Sequence, residues 1–567
     1  MAGTPNRSGA PAIGPGVTTP LTPTAPPSRR ALLGGVAGLA LAAATGCSPD
    51  AVPVATTTPG TTPGTPSATG TPAATGTPPA PGSPPGAPTA TGTGTPTATG
   101  TPMAVRAADW AALDRGLAGD VVLPESTGYD AARHTYNTRF DGVRPIAVVR
   151  CADPADVAAT LAFTRRFGLA VVPRGGGHSY IGASTLSGGV VLDTGPMATV
   201  TPDAASGTAT VGAGARLVDV YRDLHRSGLA IPAGSCPSVG IAGQTQGGGQ
   251  GVVARAHGLT CDTVTALTVV TAEGRVREVD ATRDPDLFWA LRGGGGGTFG
   301  VVTSFRVKPF ASHDCGVWSG RWAWSAAEAV VAGWQRWVAA TADQNWANLH
   351  LEAVGGSPSV RVSGVTLGGS GDAALAELTR LVGVEPTSTS STTHTWMDTV
   401  LLEAGCSRTG YAACHLTPTG GLGREAFVAG SSVLGGALPS SGISALTGIV
   451  AARAASGRAG AVIVDPLTGA VARGSTRTSA FPWRGALASV QWYVSLTSAS
   501  RVTDAQRFVG GSRRAMARYA VGAYVNYPDS SVTDPRTYHG STSPRLAAVR
   551  RRYDPDGAFR TPTAVPA

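Results

Sequence analysis

Three glycine-rich loops constrain this chain more than any other feature. Arg174-Gly175-Gly176-Gly177-His178-Ser179 stands directly after a strand-like run that itself follows a helical segment, and Gly247-Gly248-Gly249 and the run 293–297 come further on. Glycine lets backbone N–H groups approach an anion with no Cβ in the way, so such loops suit a phosphate-bearing ligand. None of them is a P-loop: the run 293–297 is followed by Thr298-Phe299, not Gly-Lys-Ser/Thr. None has the Gly-x-Gly-x-x-Gly strand–helix layout with its downstream acid. Read singly, each loop is as well explained as a tight turn. Three in one segment, with His178 in the first and Cys236 close after Gly234 between the first and the second, favour a binding site.

The surrounding pattern is one of short mixed elements, an α+β fold class. The run 145–150 reads as a buried strand. Asp153-Pro154 then supplies a cap and a first-turn proline for a helix ending at Gly168, with Val157, Leu161 and Phe167 on its apolar side. Strands are expected at 170–173, 190–193, 209–213 and 298–307, and a helix over 217–225. Glu273-Gly274 separates 267–272 from 275–280, a hairpin signal. Asp284-Pro285 opens another helix. From about Cys315 the texture changes: Trp318, Trp322, Trp324, Trp334 and Trp337 cluster, and strand-like pieces appear at 361–367 and 490–496. This predicts a second domain, followed by a short helix after Val509. Tryptophans can stack on sugar rings, but Trp334 and Trp337, three apart on a helix, read as core.

A chain of 567 residues has room for two or three domains, and 42% hydrophobic against 14% charged residues excludes a wholly disordered protein. The net charge of +9 is carried almost entirely by arginine, Lys308 being the only lysine. No basic run interleaved with aromatics follows the leader, so nucleic acid is not an expected partner. The seven cysteines and nine histidines show no paired zinc-type spacing, and no metal is expected. Residues 1–47 read as a signal peptide of the twin-arginine kind: Ser28-Arg29-Arg30 opens an apolar stretch to Ala44 that is too short to span a membrane. Ala44-Thr45-Gly46-Cys47 resembles a lipoprotein cleavage site, with ordinary cleavage and no lipid as the other reading. Residues 48–104 are Thr/Pro/Gly-rich and predict a disordered linker. The expectation is an exported monomer, tethered to the cell envelope through a lipid on Cys47 or secreted.

Four motifs, in order, carry a family resemblance: Pro173-Arg174-Gly175-Gly176-Gly177-His178-Ser179-Tyr180, Gly234-Ser235-Cys236-Pro237-Ser238-Val239-Gly240, Gly247-Gly248-Gly249 with His257-Gly258-Leu259-Thr260-Cys261-Asp262, and Tyr524-Val525-Asn526-Tyr527-Pro528-Asp529. Over roughly 125–562 the chain resembles the berberine bridge enzyme-like flavin oxidases of the vanillyl-alcohol-oxidase group. The resemblance implies a two-subdomain FAD-binding domain of the PCMH type at 125–312. It also implies an α+β substrate domain with an antiparallel sheet at 313–510, and a C-terminal segment, 511–562, that returns to the FAD domain. It further implies that FAD is bonded at 8α to His178 and at C6 to Cys236, for which a disulfide is the alternative fate. Arg174, Gly175, Gly176, Gly177, Ser179, Val239, Gly240, Gly243, Gly247, Gly248, Val302 and Asn526 are the further expected cofactor contacts. Cys406 and Cys414 can pair in an exported protein, and Cys151, Cys261 and Cys315 read as buried thiols.

The family's chemistry implies hydride transfer from an alcohol to flavin N5 while a base takes the hydroxyl proton. Tyr527 is the expected base, with Tyr524 as a flavin or substrate contact. A tyrosine with an ordinary pKa of roughly 10 needs a nearby positive charge or donors for that role. Val239 resembles the family's oxygen gate, which implies dioxygen as acceptor and hydrogen peroxide as product. Gln244, Gln246, Gln250 and Thr298 depart from the family pattern and are open as flavin or substrate contacts. The expected substrate is a carbohydrate or a natural-product alcohol. Two other readings stay open: a dehydrogenase of the same fold with another electron acceptor, and a surface binding protein without catalysis.

Overall fold

Short runs of Val and Leu bounded by turn residues build the first sheet of this computed structural model, which describes residues 104–566. The expected signal peptide, the Cys47 site and the expected Thr/Pro/Gly linker lie outside the described residues, apart from Ala104. The first sheet runs Asp120–Val122, Ala147–Arg150, Val190–Asp193, Val171–Arg174, with the last three strands parallel. Ala147–Arg150 and Val171–Arg174 run parallel on either side of Val190–Asp193, so the chain needs a crossover between them. The helix Pro154–Phe167 supplies it, with Asp153 accepting from the Asp156 N–H and Gly168 closing it at φ 64°.

A second sheet of five antiparallel strands follows, in the order Val200–Asp203, Thr208–Gly212, Val301–Val307, Val264–Val270, Val276–Asp280. The last two form the hairpin expected around Gly274, which sits at φ 82°. The strand expected from 298 starts only at Val301, because 298–300 still belong to the glycine loop and Gly300 has φ 150°.

The third sheet has eight antiparallel strands, in the order Ser388–His394, Cys315–Trp322, Ser357–Leu367, Asn345–Val354, Gly460–Pro466, Ala488–Ser495, Phe427–Leu434, Ala520–Gly522. Its two faces follow from the period of two along a strand. Leu349, Leu351, Val462, Val464 and Trp492 face the helices Ala327–Ala340 and Ser440–Ala455, and Trp318, Trp334 and Trp337 are buried in that core. The tryptophans there pack the interior and present no ring to a sugar. The alternate residues Trp346, Ile463, Asp465 and Gln491 face the other way and line a cleft.

The helix expected after Val509 spans Val502–Ala515, so the boundary drawn at 510/511 falls inside it. Gly510 and Gly511 do not break it: Ala505, Val509 and Met516 hold it on the core of the third sheet. After Gly522 the chain leaves this sheet. The helix Ser543–Tyr553 packs Leu546 and Val549 into the core of the second sheet, and Phe559 bridges to Val171 of the first. Cys406 and Cys414 are joined in a disulfide, and Cys151, Cys261 and Cys315 are buried free thiols. Among the described residues no helix is long and apolar enough to cross a membrane, and no group of three or more side chains could hold a metal ion.

Candidate active site

The loops that leave the first two sheets meet the polar side of the third in one open cleft, with about 1930 Å³ of empty space including its mouth.

The strand Val171–Arg174 delivers the first glycine loop into the cleft. Arg174 lines it only in part: its guanidinium bonds the Asp193 carboxylate at 2.7 Å and the Arg133 and Ala132 carbonyls. The Arg174 charge therefore ties two strands together and does not reach for a ligand. Gly175, Gly176, Gly177 and Ser179 line the cleft as expected. Gly176 must be glycine, because a Cβ there would lie 2.1 Å from the Gly240 nitrogen. The two loops cross at that point with backbone against backbone.

His178 is held on two sides. Its ring stacks on Tyr136 at 4.0 Å between centroids, and Nε2 lies 3.0 Å from the Ser238 hydroxyl. Burial, then the Arg216 charge, push its pKa down to about 3, so the imidazole is neutral at ordinary pH. Cys236, Val239, Gly240 and Gly243 line the same cleft, as does Val302. Cys236 is disulfide-bonded in this structure, the alternative fate already open for it in the sequence.

The motif 524–529 is a loop, not a strand, and it closes the cleft from the C-terminal side. Its backbone is pinned by Ser431: the Tyr524 N–H donates to that hydroxyl at 2.9 Å, and the hydroxyl donates to the Tyr527 carbonyl at 2.9 Å. The Tyr524 hydroxyl accepts from the Gly249 N–H at 3.0 Å and from the Asn526 amide at 2.8 Å. Tyr524 is therefore committed to the loops, and burial raises its pKa.

Tyr527 stacks on Tyr180, with centroids 5.2 Å apart and planes 2° from parallel. Its pKa is raised well above 10, by burial first and then by Tyr180, Asp465 and Tyr524. The positive neighbour that a tyrosinate base requires is not among these influences; the nearby charge is a carboxylate.

Gly247 and Gly248 are corrections. They do not line the cleft. A Cβ on Gly247 would sit 2.0 Å from the Asn526 amide oxygen of the C-terminal segment, and one on Gly248 would sit 2.9 Å from the Phe481 ring of the substrate domain, so both are glycine to let later parts of the chain pack against them.

Sequence reasoning assigned no role to Asp465, Gln491 or Ser184, which the fold brings to the cleft, and it left Gln246, Gln250 and Thr298 open as contacts. Asp465 is buried, and desolvation pushes its carboxyl up to about 7. Gln491 donates to the Tyr180 hydroxyl at 2.5 Å. Gln250 lines the cleft with both amide atoms unpartnered, and the Gln246 carbonyl and Ser184 hydroxyl oxygens are likewise unpartnered. Thr298 is buried and does not line the cleft.

These features fit FAD. Glycine backbone offers a place for a diphosphate, unpartnered buried amides suit a ring bearing donors and acceptors, and a neutral imidazole can form a bond to carbon.

Comparison with known proteins gives the same picture. Residues 145–280 match the FAD binding domain family, and 523–566 match the berberine and berberine-like family. An FAD-linked oxidoreductase of Bacillus subtilis, YgaK, itself uncharacterized, is 30% identical over 455 residues, covering 79% of this chain and 97% of that protein. The chitooligosaccharide oxidase of Gibberella zeae is 29% identical over 456 residues, covering 76% of this chain and 89% of that one. The solved structure of berberine bridge enzyme-like 1 from Physcomitrella patens superposes with a TM-score of 0.74 at 26% identity, over 81% of this chain and 99% of that one.

Proposed function

The chain belongs to the berberine bridge enzyme-like FAD-linked oxidoreductases, and from that premise we propose that it oxidises an alcohol group of an oligosaccharide or other hydroxylated small molecule and passes the electrons to dioxygen. The observation that carries the reading is the buried Asp465 carboxyl in the cleft wall beside Tyr527 and Gln491. The substrate class is supported by the chitooligosaccharide oxidase likeness and by the polar side chains on that wall.

FAD would be held by His178 at its 8α carbon and by Cys236 at C6, the latter requiring the Cys236 sulfur in reduced form. When bound, FAD supplies the hydride acceptor and the path of electrons to oxygen. The chain supplies the rest. Asp465 takes the hydroxyl proton, because it is the cleft acid whose pKa sits near neutrality. Tyr180, fixed by Gln491 and by the stack with Tyr527, orients the sugar ring or hydroxyl. Tyr527 is thereby moved from proton acceptor to substrate contact. Val239 leaves space for oxygen. Replacing it by leucine is expected to slow reoxidation in air while anaerobic reduction by substrate keeps its rate, as read by stopped-flow absorbance.

The direct test is peroxide release and oxygen uptake over a panel of chitooligosaccharides, xylooligosaccharides, free sugars and aromatic alcohols. Turnover with a sugar and stoichiometric peroxide supports the reading. Substrate reduction that persists in air and yields to a quinone makes the protein a dehydrogenase. No reduction by any alcohol leaves a binding protein.

The twin-arginine leader and Cys47 support export and a lipid tether to the envelope. Cys47→Ala is expected to shift the protein from the membrane fraction to the medium; an unchanged distribution would refute the tether.

A further inference from the structure

Two side chains around His178 have no place in the oxidation of an alcohol. Ser238 is buried and sits on the second glycine loop, 60 residues from His178, yet its hydroxyl meets the imidazole Nε2 at 3.0 Å. Arg216 contacts the Gly175 carbonyl at 3.5 Å and the Ser238 carbonyl at 3.4 Å. These are long contacts, each weak alone. Together they span the loop that carries His178 and the loop that carries Ser238 and Cys236. The arginine fits because Gly176 has no side chain: a Cβ there would lie 2.8 Å from its Nη1.

Among the described residues Arg216 forms no ion pair within 4 Å. The acids that influence it are committed elsewhere, Asp193 to Arg174 at 2.7 Å and Asp219 to Tyr411 and His415. A cation without a carboxylate, placed on the crossing of two loops, acts on what those loops carry.

We propose that Ser238 and Arg216 are positioning residues for the attachment of FAD to His178: Ser238 accepts the Nε2 proton, which leaves the lone pair on Nδ1, and Arg216 holds the two loops in register. The proposal rests on the reading that His178 bonds the flavin. With Nε2 engaged by the Ser238 hydroxyl, Nδ1 is the ring nitrogen offered to the flavin. The neutral state of the ring follows from its burial and from the guanidinium nearby.

The step balances as follows. A C–H bond of the flavin 8-methyl group breaks with loss of a proton, the Nδ1–C bond forms, and the Nε2 proton leaves through the Ser238 hydroxyl. The electron pair of the C–H bond stays on the flavin as a two-electron reduction. Dioxygen reoxidises it, and the two protons leave as hydrogen peroxide.

The test uses the full chain carrying Cys236→Ser, in which His178 is the one remaining tether. Apoprotein from riboflavin-limited cells is mixed with FAD, and acid-stable flavin is followed with time. Adding Ser238→Ala is expected to slow attachment about tenfold or more, in line with the cost of losing a partner that orients a histidine, with the affinity for free FAD little changed. Ser238→Thr should restore the rate. Arg216→Gln should slow it and Arg216→Lys should recover part of it; this pair carries the test if Ser238→Ala does not fold. Equal attachment rates in the C236S and C236S/S238A proteins, with no effect of Arg216→Gln, would overturn the proposal. If C236S alone releases all its flavin in acid, the His178 bond itself is refuted, and the proposal falls with it.

Discussion

Asp465→Asn is expected to lower kcat by about 10²–10⁴-fold, the range of a lost general base, while the flavin stays bound and the folded protein becomes more stable at pH 8. Both effects come from one displaced titration. Burial raises the Asp465 carboxyl to about 7, against roughly 3.9 in an unfolded chain. Below about pH 4 the group is protonated in both states and favours neither. As the pH rises from there to about 7, the unfolded chain ionises first and folding stability is lost. Asparagine removes that loss, so the variant should gain on the order of a few kcal/mol at pH 8 and nothing at pH 4. In the native enzyme kcat/KM should rise through about pH 7 as the carboxylate forms, and this limb should vanish in the variant. An unchanged limb would return the base role to Tyr527. Thermal unfolding at the two pH values and a pH–rate profile check both halves.

The second large effect separates two kinds of glycine in the cleft. Gly176→Ala places a methyl 2.1 Å from the Gly240 nitrogen. Neither backbone can yield without opening the crossing, so the expected cost is about 3 kcal/mol or more, with loss of flavin uptake. Gly243 lines the same cleft, but a Cβ there meets no protein atom within 4 Å. Alanine at this helical position should stabilise the apoprotein by up to about 1 kcal/mol and yet weaken FAD binding, because the methyl intrudes only where a ligand lies. Chemical unfolding of the apoproteins and flavin titration distinguish the cases. Equal flavin affinity in Gly243→Ala and the native chain would mean that the cofactor does not approach this helix.

Much of the cofactor side of the cleft was legible in the sequence because its signals are local. Arg174 to Ser179 announces a backbone approach whatever surrounds it, and His178 and Cys236 stand within such runs. The locality also misled. Gly247 and Gly248 look like more of the same cradle, but they are small because Asn526 and Phe481, far along the chain, press against them. The substrate side was not legible. Asp465 is a single acid at the end of an apolar strand, and only the pairing of Gly460–Pro466 between two neighbours decides that it faces the cleft while Val464 faces the core. The same limit applies to Tyr527: a sequence offers the phenol but not the charge of its surroundings, and here that charge is negative. The helix expected only after Val509 starts at Val502, because packing of Ala505 and Val509 on the third sheet outweighs the cost of Gly510 and Gly511 and carries it through to Ala515.

The central claim is that one flavin is bonded to both glycine loops, and peptide mass mapping of the native, acid-denatured protein tests it most directly. The account predicts a single cross-linked species in which the peptides containing His178 and Cys236 share one FAD. Recovery of an unmodified His178 peptide, with Cys236 as a thiol or in a disulfide and all the flavin in the acid supernatant, would contradict it.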